Sequence, residues 1–177
     1  MKHLKSVLIW INLLGGLSVI GSYALGLAAR PGQADLLWGG VPAGLRPIIT
    51  ANMPLAALGF LWMTYFVIFR LDLRSTRLGR FSPGLLVPLY LLILIPSSLW
   101  MELSFAAVSR SSPAGWAMVI SVLALVGLAA VGLLAALVSL QPRPGGWAYR
   151  LACLAALPFV IQTAVLDALV WTVLTLR

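Results

Sequence analysis

Charge disappears from this chain for long stretches at a time. Residues 6–29, 47–69, 81–101 and 111–142 hold no Asp, Glu, Lys or Arg, and residues 151–176 hold one, Asp167. About 20 mainly apolar residues in a helix cross a hydrocarbon core. In lipid every backbone N–H and C=O must find a partner within the segment, which leaves the helix as the answer for each run. The pattern predicts spanning helices at about 6–29, 48–69, 83–107, 114–140 and 148–175. The fold class is all-α: a polytopic integral membrane protein, a five-transmembrane-helix bundle, with residues 1–177 as a single transmembrane domain. The connecting segments are too short to fold independently.

Turn formers mark the joints. Arg30, Pro31 and Gly32 close the first run; Gly39, Gly40 and Pro42 lie in the longest loop; Ser82 to Gly84, Ser112 to Pro113 and Pro142 to Gly146 punctuate the rest. Pro54, Pro88, Pro96 and Pro158 fall inside spans, where neighbouring helices can satisfy the freed carbonyls. Small residues recur every fourth position at Ser18, Ser22 and Gly26, and again at Ala148, Ala152 and Ala156. Such stripes let helix backbones approach closely in lipid.

Composition supports this picture: 62% of the residues are hydrophobic, with a mean hydropathy of +1.05. The net charge of +8 is no nucleic-acid signal, because the basic residues sit at span ends rather than along a soluble face. Lys2, Lys5, Arg70, Arg74, Arg77, Arg80, Arg143 and Arg150 fall on one side of the predicted bundle. Arg30, Arg46, Arg110 and Arg177 fall on the other. Basic loops stay inside, which puts the N-terminus in the cytoplasm and the C-terminus outside, with a bacterial inner membrane as the expected setting. The first run is longer than the 7–15 residues of a signal-peptide core and reads as a retained helix. Cys153 is the only cysteine and His3 the only histidine, so no metal site and no cofactor are expected.

Two acids lie within spans, Glu102 and Asp167. A charge at bilayer depth costs about 3 kcal/mol on insertion scales, so it is expected to face a cavity, a partner or water. In the predicted topology both fall in the outer half, together with Ser22, Tyr23, Thr50, Asn52 and Gln162. The first loop, with Arg30, Asp35, Trp38 and Arg46, lies above them. Trp62 and Trp100 are deeper than an interfacial belt explains, whereas Trp10, Trp116, Trp147 and Trp171 sit near span ends, where indoles favour the interface. The expected ligand-binding set is therefore Trp38, Arg46, Asn52, Trp62, Trp100, Glu102, Gln162 and Asp167, around a pocket capped by the first loop. The structural alternatives are an interfacial Glu102 paired with Arg30 or Arg110, and an Asp167 that only joins helices, through Asn52 or a serine. No catalytic motif is visible.

The segment Leu45-Arg46-Pro47-Ile48-Ile49-Thr50-Ala51-Asn52-Met53-Pro54 resembles the basic-Pro-x-x-Thr-Pro-Pro entry to the second helix of the tryptophan-rich sensory protein (translocator protein, TspO) family. Leu94, Trp100, Leu103 and Phe105 are similar to its third-helix pattern. Leu157-Pro158-Phe159 with Trp171 is similar to its fifth helix. The chain departs from the family in keeping only Trp62 of a tandem-Trp segment, Ser97 or Ser98 for an Asn, and Gln162 for a Trp. The resemblance implies a planar hydrophobic ligand, porphyrin- or sterol-like, beneath the first loop.

Three functions follow as expectations. The first is a membrane receptor or carrier for a small lipophilic ligand. The second is an accessory or scaffold subunit of a larger membrane complex, or a homo-oligomer. The third is an intramembrane isomerase using Glu102 and Asp167 as acid and base. Partners are the lipid bilayer, the lipophile and other membrane subunits, with no nucleic acid. One pair of acids and no inverted repeat give little ground for transport.

Overall fold

A computed structural model describes residues 3–110 and 112–175 of the chain. Five long helices form: α1 Leu4–Ala28, α2 Arg46–Arg70, α3 Pro83–Arg110, α4 Pro113–Val138 and α5 Trp147–Thr175, with mean hydropathies from 1.5 to 2.7. All five are long and apolar enough to span a bilayer, so the chain is a multi-pass integral membrane protein. Their ends lie within three residues of the expected ones.

The starts have local causes. Pro47, Pro83 and Pro113 sit in first turns, where a missing N–H costs nothing. Ser112 caps α4 by accepting from the Gly115 amide at 3.0 Å. Pro54, Pro96 and Pro158 lie within helices without ending them. Two stretches relax into wider π turns, Phe66–Arg70 at the end of α2 and Ile161–Trp171 in α5.

Neighbours in the bundle do not follow chain order. α1 packs on α3, α3 on α4, α4 on α5 and α5 on α2. α1 meets the second span chiefly at its π-helical end, so the arrangement opens between α1 and α2. Close approach comes from glycine. A Cβ on Gly59 would run into the Ala155 carbonyl oxygen, and one on Gly127 would stand 2.9 Å from Ala164 Cα. At the end of the bundle that carries the N-terminus, residues Arg77–Leu78 (β1) and Leu140–Gln141 (β2) form a short antiparallel pair between two loops.

The first loop crosses the opposite end. Its single helical turn, Ala34–Trp38, is tied to α5 by Trp171 Nε1 donating to the Leu37 carbonyl at 2.8 Å. Gly40 touches the Leu174 carbonyl so closely that no side chain fits there. The buried residues divide accordingly. A large apolar cluster around Met63, Tyr90, Leu133 and Ala152 fills the N-terminal end and the middle. A smaller one around Val41, Ile49, Val119 and Trp171 sits beneath the loop.

Candidate functional site

Beneath the first loop, a polar chain runs from α2 into α5. Asn52 Nδ2 donates to the Pro158 carbonyl at 3.0 Å and to Gln162 Oε1 at 3.0 Å. Gln162 Nε2 then donates to Asp167 Oδ1 at 2.8 Å. The π turns of α5 explain the last link. In an α-helix, residues five apart point away from each other, whereas an i→i+5 turn stacks them on one face. The Thr172 hydroxyl, donating to the Asp167 carbonyl at 3.2 Å, has the same spacing. Tyr23 of α1 lies within electrostatic range of Asp167. The structure thus brings Asn52, Gln162 and Asp167 together as expected, with Asn52 reaching the acid through Gln162.

Glu102 is not part of this chain. It forms a two-pronged ion pair with Arg30, at 2.9 and 2.8 Å, and its side chain is 51% exposed. The Arg30 guanidinium also lies over the Phe105 ring at 4.5 Å, and its hydrogen bond to Glu102 raises its pKa above the ordinary value. The expectation that the two acids share one cavity is therefore corrected. α3 stands between α1 and α4, while α5 stands between α4 and α2. The two carboxylates take separate partners.

Aromatic rings fill the space between them. Tyr23 and Trp100 have centroids 5.8 Å apart, Trp100 and Trp171 6.1 Å, and Trp116 and Trp171 6.3 Å. Trp38 packs on the same cluster and receives the Arg46 guanidinium at 5.6 Å, while Arg46 Nε donates to the Val41 carbonyl. Of Trp116 and Trp171, both expected at the membrane interface, Trp171 is a buried member of the cluster and Trp116 packs against it. The signal that could have found Trp171 is its place one turn beyond Asp167 in the same span. Trp62 is a correction of the other kind. α2 runs away from the loop, so Trp62 lies about 24 Å below Arg46 and stacks near Tyr65 and Trp147 instead.

An open groove lies away from the loop-end cluster. A cavity of about 490 Å³ lies between α1 and α2, walled by Leu13, Gly16 and Ile20 on one side and Ala57, Leu61 and Tyr65 on the other. Ile93, Leu94 and Ser97 of α3 and Phe159 of α5 form its floor. None of the eight residues expected to bind ligand lines it. Little in the sequence pointed to it, because most residues along it are apolar and resemble ordinary span positions, with Asn12, Thr64 and Ser97 as scattered exceptions.

No family model, curated protein or solved structure matches this chain.

The loop end is therefore a packed node with one intramembrane carboxylate, and the groove is an apolar cleft facing the bilayer. Among the described residues, no group of three or more His, Cys, Asp or Glu is gathered. What the arrangement can do is hold an apolar molecule by shape and a few polar atoms.

Proposed function

We propose that this protein is a membrane receptor or carrier for a small lipophilic ligand. The observation carrying this reading is the groove between α1 and α2, whose volume of about 490 Å³ falls within the range of about 300–1,000 Å³ usual for small-molecule sites. It opens sideways, so a molecule dissolved in the bilayer enters without crossing water. The TspO-like motifs support the same ligand class, and a flat polycyclic molecule suits walls that include Phe60 and Phe159. Because rings occupy the loop end, we place the ligand in the groove, with the Asn52–Gln162–Asp167 chain tying α2 to α5 beside it. The two-to-one excess of basic residues supports an N-terminus in the cytoplasm and a bacterial inner membrane as the setting.

The test is purification in a mild detergent, with mass spectrometry of the organic extract and titration of a fluorescent polycyclic lipophile. Ala57→Trp fills the groove and is expected to weaken probe binding about tenfold or more while the protein stays monodisperse. Stoichiometric partner proteins, with no lipophile and no probe binding, would support the accessory-subunit reading and end this one.

A further inference from the structure

We propose that the end of the bundle carrying the N-terminus is a docking surface for anionic phospholipid headgroups. This concerns a different surface from the groove and a different ligand chemistry, a lipid phosphodiester with net negative charge. Lys5 of α1, the four arginines between 70 and 80, and Arg143 and Arg150 gather at this end. The one acid among them, Asp72, lies within electrostatic range of Lys5. Its two carboxylate oxygens accept from the Arg74 amide and the Ser75 hydroxyl. No guanidinium at this end has an ion-pair partner among the described residues. The ion pair the chain does form, Arg30 with Glu102, lies at the other end.

Basic residues that only set topology need to be present in number, not in an ordered arrangement. These are ordered. Along 71–78, Leu71, Leu73, Thr76 and Leu78 are buried, while Arg74 and Arg77 are exposed. The three leucines join the main apolar cluster, and the Thr76 hydroxyl donates to the Asp72 carbonyl at 2.6 Å. β1 sets Arg77 opposite Gln141 of β2, and the Gly79 amide donates to the Ser139 carbonyl at 2.8 Å. Those bonds fix this loop against the one that carries Arg143, which lies beside the Tyr149 hydroxyl. Holding like charges together costs free energy through self-repulsion, and anions received among them remove that cost. Guanidinium groups suit phosphate in particular, because two parallel N–H donors match two of its oxygens.

The rings around the patch indicate where the phosphate comes from. Phe69 near the end of α2, Phe81 just before α3 and Trp147 at the start of α5 are 50–64% exposed. The Arg80 guanidinium lies over the Phe81 ring at 5.1 Å, and that of Arg70 over Tyr65 at 5.8 Å. Exposed indole and phenol rings favour the headgroup level of a bilayer, so arginines beside them stand among lipid phosphates. An acidic protein in the aqueous phase would leave these rings without a role. The first-loop end lacks the pattern, since Arg30 is neutralised by Glu102 and Arg46 donates to the Val41 carbonyl.

The test places the full chain in phosphatidylcholine nanodiscs with a small fraction of photoreactive phosphatidylglycerol or of the matching phosphatidylcholine. Labelled residues are mapped by peptide mass spectrometry. The phosphatidylglycerol probe is expected to half-saturate labelling of residues 69–81 and 139–150 at about a fivefold lower mole fraction than the other probe. The gap should largely close in about 1 M NaCl and in an Arg74→Gln, Arg77→Gln double variant, and persist in Arg110→Gln at the other end. The salt arm uses the unmodified chain and so does not depend on how the variants fold. Equal half-saturation by the two probes in the unmodified chain overturns the inference. So does a preference confined to the first-loop end, or one that survives high salt or, in a folded double variant, survives loss of the two charges. A stoichiometric acidic protein that copurifies and shields these loops from both probes would put a protein in the lipid's place and overturn it as well.

Discussion

Removing the Asn52 side chain strips a donor from two acceptors at once, the Pro158 carbonyl and Gln162 Oε1. Both lie where water is scarce, so the loss is the desolvation of unpartnered groups as well as the bonds themselves. Asn52→Leu is expected to destabilise the bundle by about 2 kcal/mol, read as a lower unfolding temperature in detergent. Glu102→Gln should change stability little, because an exposed ion pair contributes little. If the two variants behave alike, the polar chain is not what joins α2 to α5. A third residue-scale effect depends on pH. Asp72 accepts from the Ser75 hydroxyl at 2.8 Å and the Arg74 amide at 3.1 Å, and these bonds hold its carboxyl below the ordinary carboxylate pKa. A depressed carboxylate stabilises the folded turn above its unfolded pKa, and that contribution is lost as pH falls through the folded value. Amide exchange at Arg74 should therefore remain slow at neutral pH and become less protected only in strongly acidic solution. Asp72→Asn should abolish this dependence.

At the scale of elements, α2 and α5 approach through Gly59, whose missing side chain makes room for the Ala155 carbonyl. Helix association in lipid relies on such packing, since the surrounding chains are as apolar as the helices. Gly59→Leu is expected to push the two helices apart and destabilise the fold by about 3 kcal/mol, more than Gly16→Leu, because nothing lies within 4 Å of a Cβ at Gly16. A Gly16 variant that lowers the unfolding temperature as much as a Gly59 variant would contradict this packing. The π segment of α5 is the other feature at this scale. It gives Gln162 and Asp167 a common face, so a single-residue deletion within 163–166, which leaves the pair four apart on one face of an ordinary α-helix, should keep the link, whereas a single-residue insertion there should rotate Asp167 off Gln162 and weaken it. Neither the helix spacing nor the glycine contact is legible in composition. The small-residue stripe at Ala148, Ala152 and Ala156 was legible, and Ala152 and Ala156 are indeed buried at 0% exposure.

For the whole molecule, five spans place the first loop and the β1–β2 loops on opposite faces of the membrane. With Cys153 replaced by alanine, single cysteines at Gln33 and Ser75 should react with a membrane-impermeant maleimide from opposite sides of oriented vesicles. Labelling of both from one side would break the five-span arrangement. The bundle's helix order also leaves α1 as its least buried member, with Leu17, Ile20 and Leu25 all above 60% exposed. Its remaining hold is on α3, with Gly15 against Leu94. That asymmetry creates the groove, because a helix fixed on one side leaves its other side for lipid or ligand.

The amino-acid sequence by itself determined the five spans, their ends and the membrane setting, because an uncharged run of that length has one way to satisfy its backbone in lipid. It also brought Asn52, Gln162 and Asp167 to one level, since rise per residue fixes depth. Only the tertiary structure decided which helices touch, that Glu102 answers to Arg30 and not to Asp167, that Trp62 belongs to the far end, and that the open space lies between α1 and α2. Spans that are apolar on every side carry little amphipathic signal of which face turns inward. In a solvent as apolar as the side chains, that choice falls to shape and to a few hydrogen bonds.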